Sequence, residues 1–301
     1  RFKDPHVLNS PKANQAGDIF ISSFSGRVIS LDRAGQIRWE TPVTKRNLWD
    51  VALAGEDRLI VAEIAGQSSA TWCLSQTTGE VLWRFENGGH SYPIAVDRGI
   101  AIHATTQQGK DIFDGSVRLL AIDIATGNLK WSTHSSEYLF VPHIAEDVVF
   151  IGGNGSIRAY GLNDGTLLAR YEFGEAATFN RGIAVFGSAL IVSPDESANL
   201  HALEYQRKRG LFRTSYGFNQ RWSRRFSSNI VGSAGSVGGN FFVALENGSL
   251  AVFDDASGKA AEIPNLRAGA GQAVRESQLL TASGRTLSLV EFGAGPAEPL
   301  T

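Results

Sequence analysis

The sequence predicts an all-β chain: a seven-bladed β-propeller of four-stranded antiparallel blades, built as a single domain over residues 1–301. Three observations carry this expectation. A glycine followed four residues later by tryptophan recurs in "SLDRAGQIRW" (30–39), "CLSQTTGEVLW" (73–83) and "AIDIATGNLKW" (121–131). Gly35, Gly79, Gly127, Gly165 and Gly258 mark this station at steps of roughly 40 to 50 residues, the last step leaving room for two units, and that is the period of four-stranded blades. Each unit also divides into four segments of strand length.

In the third unit the segments read "SYPIAVDRG", "IAIHATTQ", "VRLLAIDI" and "LKWSTHS"; in the fourth, "VPHIAED", "VVFIGGNG", "SIRAYGLN" and "LLARYEFG". Val, Ile, Leu and aromatic residues alternate with small or polar ones, and Gly, Asn and Asp punctuate the ends. The repeated stretch is then the turn between third and fourth strands. Gly127 can take a positive φ there, and the Asp123 carboxylate can accept turn amides. The tryptophan falls on the last strand, where its ring can fill the wedge between blades. Counting outward, the units centre on Trp39, Trp83, Trp131, Tyr171, Trp222, Ile263 and the closing "TLSLVEFGAGPAEPL". The seventh is the least regular, because Pro296 and Pro299 fit only an outermost strand, and residues before His6 are an alternative partner. Six- and eight-bladed closures stay open on this count.

Bulk composition narrows the function classes. With 43% hydrophobic and 19% charged residues, the chain has material for a packed core. A net charge of −2 predicts no global attraction to nucleic acid or anionic membrane, so such binding would need a local patch. One cysteine, Cys73, excludes an internal disulfide framework and a Cys-rich zinc site. No apolar run approaches the length of a membrane span. A first residue of Arg1 is expected of a mature form or a fragment.

The turn and tryptophan of "AIDIATGNLKW" resemble the repeat of the PQQ-type β-propellers, which include quinoprotein dehydrogenases and the BamB-type scaffold proteins of outer-membrane assembly. As a period the resemblance covers the whole chain. The motif is full in units one to three, partial in "YGLNDGTLLA" and "VFDDASGKAAE", and lost in units five and seven. It implies a propeller and says little of activity, since propellers host many functions. The enzyme branch implies adjacent cysteines beside the quinone and an acidic residue with Asn on calcium. Cys73 stands alone, and the one dense acidic pair, Asp254 and Asp255, falls in a turn. The expectation is therefore a non-enzymatic scaffold that works without PQQ or metal, with a PQQ-dependent oxidoreductase as the alternative. The BamB-like branch implies a periplasmic or cell-envelope location; a cytoplasmic one stays compatible with the sequence.

Two groups of residues are candidate sites. Innermost strands of a propeller begin at one face around the central channel, and those stations carry Trp49, Asp50, His90, Tyr92, His143, Phe179, Asn180, Arg181, Ser228, Asn229 and Gln272. His6, His90 and His143 each open such a strand. Aromatic and hydrogen-bonding groups at one mouth suit a small polar ligand, a glycan or a peptide; a merely polar, water-filled mouth fits the same residues. A three-histidine metal site is not expected, because separate blades hold these residues apart. "GNGSI" (153–157) and "GSVGGN" (235–240) read as hairpin turns rather than as a nucleophile elbow or a phosphate cradle.

The second group is "EYQRKRGLFRTSYGFNQRWSRRF" (204–226), read as a basic inserted loop at about 204–220 in place of the fifth unit's turn. Arg207, Lys208, Arg209, Arg213, Arg221, Arg224 and Arg225 face only Glu204 in charge, with Tyr205, Phe212, Tyr216 and Phe218 interleaved. A solvated arm folded on its own blade is one reading. The other is a partner surface of Arg207, Lys208, Arg209, Phe212, Arg213 and Tyr216. An acidic protein fits it better than nucleic acid, because the charge is confined to one arm and arginine's planar fork suits carboxylates. A further insertion, "TTQQGKDIFDG" (105–115), joins strands two and three of the third unit.

Overall fold

The computed structural model describes residues 8–64, 68–106, 116–174, 177–180, 182–210, 214–237, 240–254, 257–264, 266, 271–275, 278–283 and 286–291. These residues form strands and turns with no helix, hence no helix long and apolar enough to cross a membrane. The strands make six four-stranded sheets and one three-stranded sheet, each an antiparallel meander in chain order. His6, Arg181, Phe212, Arg213, Asp255, Pro296, Pro299 and insertion residues 107–115 lie outside the described residues.

Two compact units divide the chain: Arg1–Ile151 with Tyr160–Leu167, and Gly152–Ala159 with Leu168–Thr301. The first contains the sheets built around Trp39, Trp83 and Trp131; the second contains those built around Trp222, Leu250–Phe253 and Gln278–Ser283. Within a sheet, burial falls from the inner strands to the outer one. In the third sheet Ile100–Thr106 is buried throughout, whereas Leu129–Ser135 alternates. A strand covered on both faces reads as a continuous apolar run, and an outer strand shows period two.

The glycine turn between third and fourth strands is held by an aspartate, as its sequence suggests. Asp123 Oδ1 accepts from the Thr126 amide and hydroxyl, both at 2.9 Å, and Gly127 sits at φ +75°. Asp32, Asp164 and Asp254 accept turn amides in the same way at 2.8–3.0 Å. Its glycine has a second cause that lies in the preceding sheet. A Cβ on Gly79 would stand 2.5 Å from the Trp39 ring, on Gly127 2.7 Å from Trp83, on Gly165 2.5 Å from Trp131, and on Gly258 2.5 Å from Trp222. The indole N–H groups of Trp39, Trp83 and Trp131 also donate to the Gln76, Ile124 and Leu162 carbonyls of those same turns, at 2.8–3.0 Å. Tryptophan and glycine within one repeat unit thus serve different neighbours.

Two expectations are corrected. His143 does not open its strand: Leu139–Ala145 begins four residues earlier, because Pro142 is accommodated on an edge strand where no amide is needed. The basic segment is not a loop. Asn199–Arg209 and Thr214–Arg225 pair from Asn199↔Arg225 to Arg209↔Thr214 with one bulge after Ala202↔Trp222, a two-stranded ribbon that prolongs the third and fourth strands of the fifth sheet. Its neighbour Ala189–Ser193 reaches only Glu204, so the ribbon runs on past the sheet.

Candidate functional site

In the first unit, Trp49, His90 and Tyr92 come together. The Trp49 indole donates to the Ser91 carbonyl at 2.7 Å, while the Trp49 carbonyl accepts from Ser22 Oγ at 2.7 Å. The His90 carbonyl accepts from Thr105 Oγ1 and the Thr106 amide. Its ring meets the Tyr92 edge at 5.7 Å, and Tyr92 packs edge-on against Phe140 at 5.6 Å. Tyr92 is buried, and burial pushes its phenol up to about 12. Asp50 accepts the Ser10 amide at 3.3 Å. This corner is tied largely through backbone groups.

Beside it lies a buried polar seam that the sequence did not mark. Asn87 is the bulged residue between Glu86↔Ala70 and Gly88↔Ser69, and Thr71 Oγ1 donates to its Oδ1 at 2.9 Å. Thr71 Oγ1 also lies 3.4 Å from His103 Nε2, and Arg118 donates to the Asn87 carbonyl. Burial, with the Arg118 charge adding to it, holds the His103 imidazole down at about 4. Glu63, 4% exposed, accepts from Arg46 at 3.2 Å and from the Ala70 amide at 3.1 Å. His143 is half-buried, and burial holds its imidazole at about 4 as well.

In the second unit, Asn180 and Asn229 line one cleft of about 480 Å³ with Asp195, Glu196 and Glu246. The Asn180 amide donates to Asp195 Oδ2 and Asn229 Nδ2 donates to Glu246 Oε2, both at 3.2 Å. Turns from two separate hairpins supply the acidic rim, and only the "PDES" stretch hints at it in sequence. Phe179 is buried against Phe173, at 4.4 Å between rings. Gln272 lies in Gly271–Arg275 opposite Thr281. Among the described residues no cluster of three His, Cys, Asp or Glu side chains could hold a metal.

The ribbon is the most distinctive surface. Directly opposed residues of an antiparallel pair share a face, so Tyr205↔Phe218, Arg207↔Tyr216 and Arg209↔Thr214 form one side. Lys208↔Ser215 and Gln206↔Gly217 form the other. Ring contacts agree: Tyr205 stacks on Tyr216 at 6.1 Å and 15°, Phe218 tilts against Tyr205 at 5.5 Å, and the Arg207 guanidinium lies 5.7 Å over the Tyr216 ring. Arg207, Lys208 and Arg209 are exposed; the three aromatics are half-buried.

Residues 5–138 match the family model described as outer membrane protein assembly factor BamB. No curated protein matches the chain. Among solved structures, BamB from Moraxella catarrhalis is similar at TM-score 0.71 and 16% identity, over 99% of this chain and 87% of that one. The Cps50 (Swd1) β-propeller domain from Myceliophteria thermophila is similar at 0.66 and 9% identity, over 97% and 98%. A computationally designed protein, Ika8, is similar at 0.62 and 11% identity, over 96% and 97%. Residues 5–138 thus carry a BamB-like repeat, and the chain has a β-propeller fold.

Proposed function

We propose that this chain is a non-enzymatic propeller scaffold that binds a partner protein in the cell envelope, in the manner implied by the BamB match. The observation that carries this reading is how the repeat is used. Its tryptophans, glycines and aspartates close turns and pack neighbouring sheets, and the longest departure from the repeat among the described residues is an exposed ribbon of arginines and aromatics. Such side chains are enriched at protein interfaces. The partner surface would be acidic, and the contact would weaken as salt shortens the Debye length from about 10 Å at 0.1 M to about 3 Å at 1 M.

The scaffold is proposed to work without PQQ. Cys73 is fully buried, and burial pushes its thiol up to about 12, which suits a packing residue rather than a redox one. Capture of the same envelope partner at low salt, lost at high salt, is the expected result. Dye reduction on adding PQQ and Ca²⁺ with alcohols, aldoses or aldehydes would overturn it. The Asn180–Asn229 cleft favours one second reading, a small polar or cationic ligand. That reading predicts a raised melting temperature with the ligand, lost in Asn229→Ala.

A further inference from the structure

The two faces of the ribbon differ, and the difference specifies how it would dock. On one face three aromatic rings hold each other in place and Arg207 rests on the Tyr216 ring. A guanidinium held over an aromatic face can still meet a carboxylate with two parallel hydrogen bonds. The Tyr216 contact narrows the freedom of the Arg207 side chain, so less side-chain entropy is lost on binding than with an arginine that has no ring beneath it. Arg209, opposite Thr214, extends the same face by one more cation. The other face offers Lys208 among Gln206, Ser215 and Gly217, a point charge with no aromatic opposite it among the described residues. Alternate residues of a strand lie roughly 6.6 Å apart, so rings and cations on this face follow the spacing of alternate side chains in an extended peptide.

Resting on the scaffold reading above, we infer that the Tyr205–Arg207–Tyr216–Phe218 face of the ribbon binds an extended segment of a partner protein in which acidic and apolar side chains alternate. The carboxylates meet Arg207 and Arg209, and the apolar side chains lie on Tyr205 and Phe218. Nucleic acid is disfavoured because half of the strip is apolar carbon with the positive charge at one end. The contact is face-specific: Arg207 and Lys208 are adjacent, carry the same charge and are both exposed, yet only one belongs to the strip.

The test is fluorescence anisotropy of a labelled peptide alternating glutamate and leucine, against the full chain at low salt. Arg207→Ser and Tyr216→Ser should each weaken binding at least tenfold, Arg207→Lys should rescue only in part, and Lys208→Ser should change it less than twofold. Equal losses for Arg207→Ser and Lys208→Ser would reduce the ribbon to unspecific charge and overturn the inference. So would no binding by the unaltered chain, or tighter binding of a single-stranded oligonucleotide or of anionic vesicles. Circular dichroism of each variant confirms the fold. Envelope capture by the unaltered chain is scored separately: a partner retained equally by Tyr216→Ser sinks the strip but leaves the scaffold, whereas no partner at all sinks the scaffold.

Discussion

Two seams of the molecule are built from opposite materials. From the first sheet to the second, onward to the third, and then to the turn at Gly165, an indole covers a glycine and hydrogen-bonds that turn. Between the fourth and fifth sheets both halves of the device are missing. Four residues after Gly165 stands Ala169, and where the fifth sheet should turn on a glycine the ribbon runs out instead. Among the described residues, Tyr171 Oη lies 3.2 Å from Gln220 Oε1 at the foot of the ribbon, and the Phe173 ring meets His201 edge-on at 5.0 Å. A tryptophan is useful only where the next sheet offers a glycine under it. Loss of the turn in one sheet is therefore matched by loss of the ring in the sheet before.

The largest test of this comparison is on the intact seam. Trp131 is nearly buried, and Trp131→Ala should cost about 3–5 kcal/mol in urea unfolding, as large aromatic truncations do. Gly165→Ala should cost more than the ~1–3 kcal/mol of a non-glycine residue at positive φ, because its Cβ also meets the indole at 2.5 Å. Gly35, at φ +79°, has open space at the Cβ position, so Gly35→Ala should show the φ cost alone. In the double variant Trp131→Ala, Gly165→Ala the second change should fall to the Gly35 level. Strict additivity would refute the pairing.

The next effect is a loss of stability in acid, located at the polar part of the same kind of seam. Unfolded, His103 takes a proton near its ordinary 6.5; folded, burial defers this to about 4. Between those values the unfolded state binds more protons, so stability falls as pH drops from 6.5 towards 4. For His103 the loss approaches roughly 3 kcal/mol, and His143 adds a loss of the same sign. Thermal melts from pH 7 to 4 should fall less steeply for His103→Gln. An unchanged slope would show that the imidazole is not held neutral.

Much of this was legible in the sequence, and what was not has physical reasons. Asp123, Gly127 and Trp131 announce a hairpin because they sit at fixed offsets within one turn. Their spacing does not reveal that Gly127 answers to Trp83 rather than to Trp131, since that contact crosses sheets. The ribbon looked like a loop because Arg207, Lys208 and Arg209 form a charge run, and a strand exposed on both faces shows no hydrophobic alternation. Strand order alone is enough to expect Asn180 and Asn229 near each other, and they line one cleft. The acidic rim of Asp195, Glu196 and Glu246 could not, because it is assembled from turns distant in the chain.

The smallest expected effect concerns the divergent seam. The third sheet pairs Ala121↔Trp131 and Ile122↔Leu129 across a bulge and turns through 123–128; the fifth pairs Ala202↔Trp222 and Leu203↔Gln220 across the same bulge, then inserts 204–219. Replacing 204–219 by 123–128 should keep the sheet and change unfolding free energy by less than about 1 kcal/mol. The core contacts of the hairpin come from Leu200, Ala202 and Trp222, which remain, and surface changes away from a core stay near that size. The graft also restores a glycine in the turn. Ala169→Trp should then be tolerated in the grafted chain, whereas in the natural chain it should cost the 1–3 kcal/mol typical of an overpacked site. If Ala169→Trp is equally harmful in both, the missing indole and the missing turn are unrelated losses, and the rule drawn from the intact seam does not extend to the ribbon.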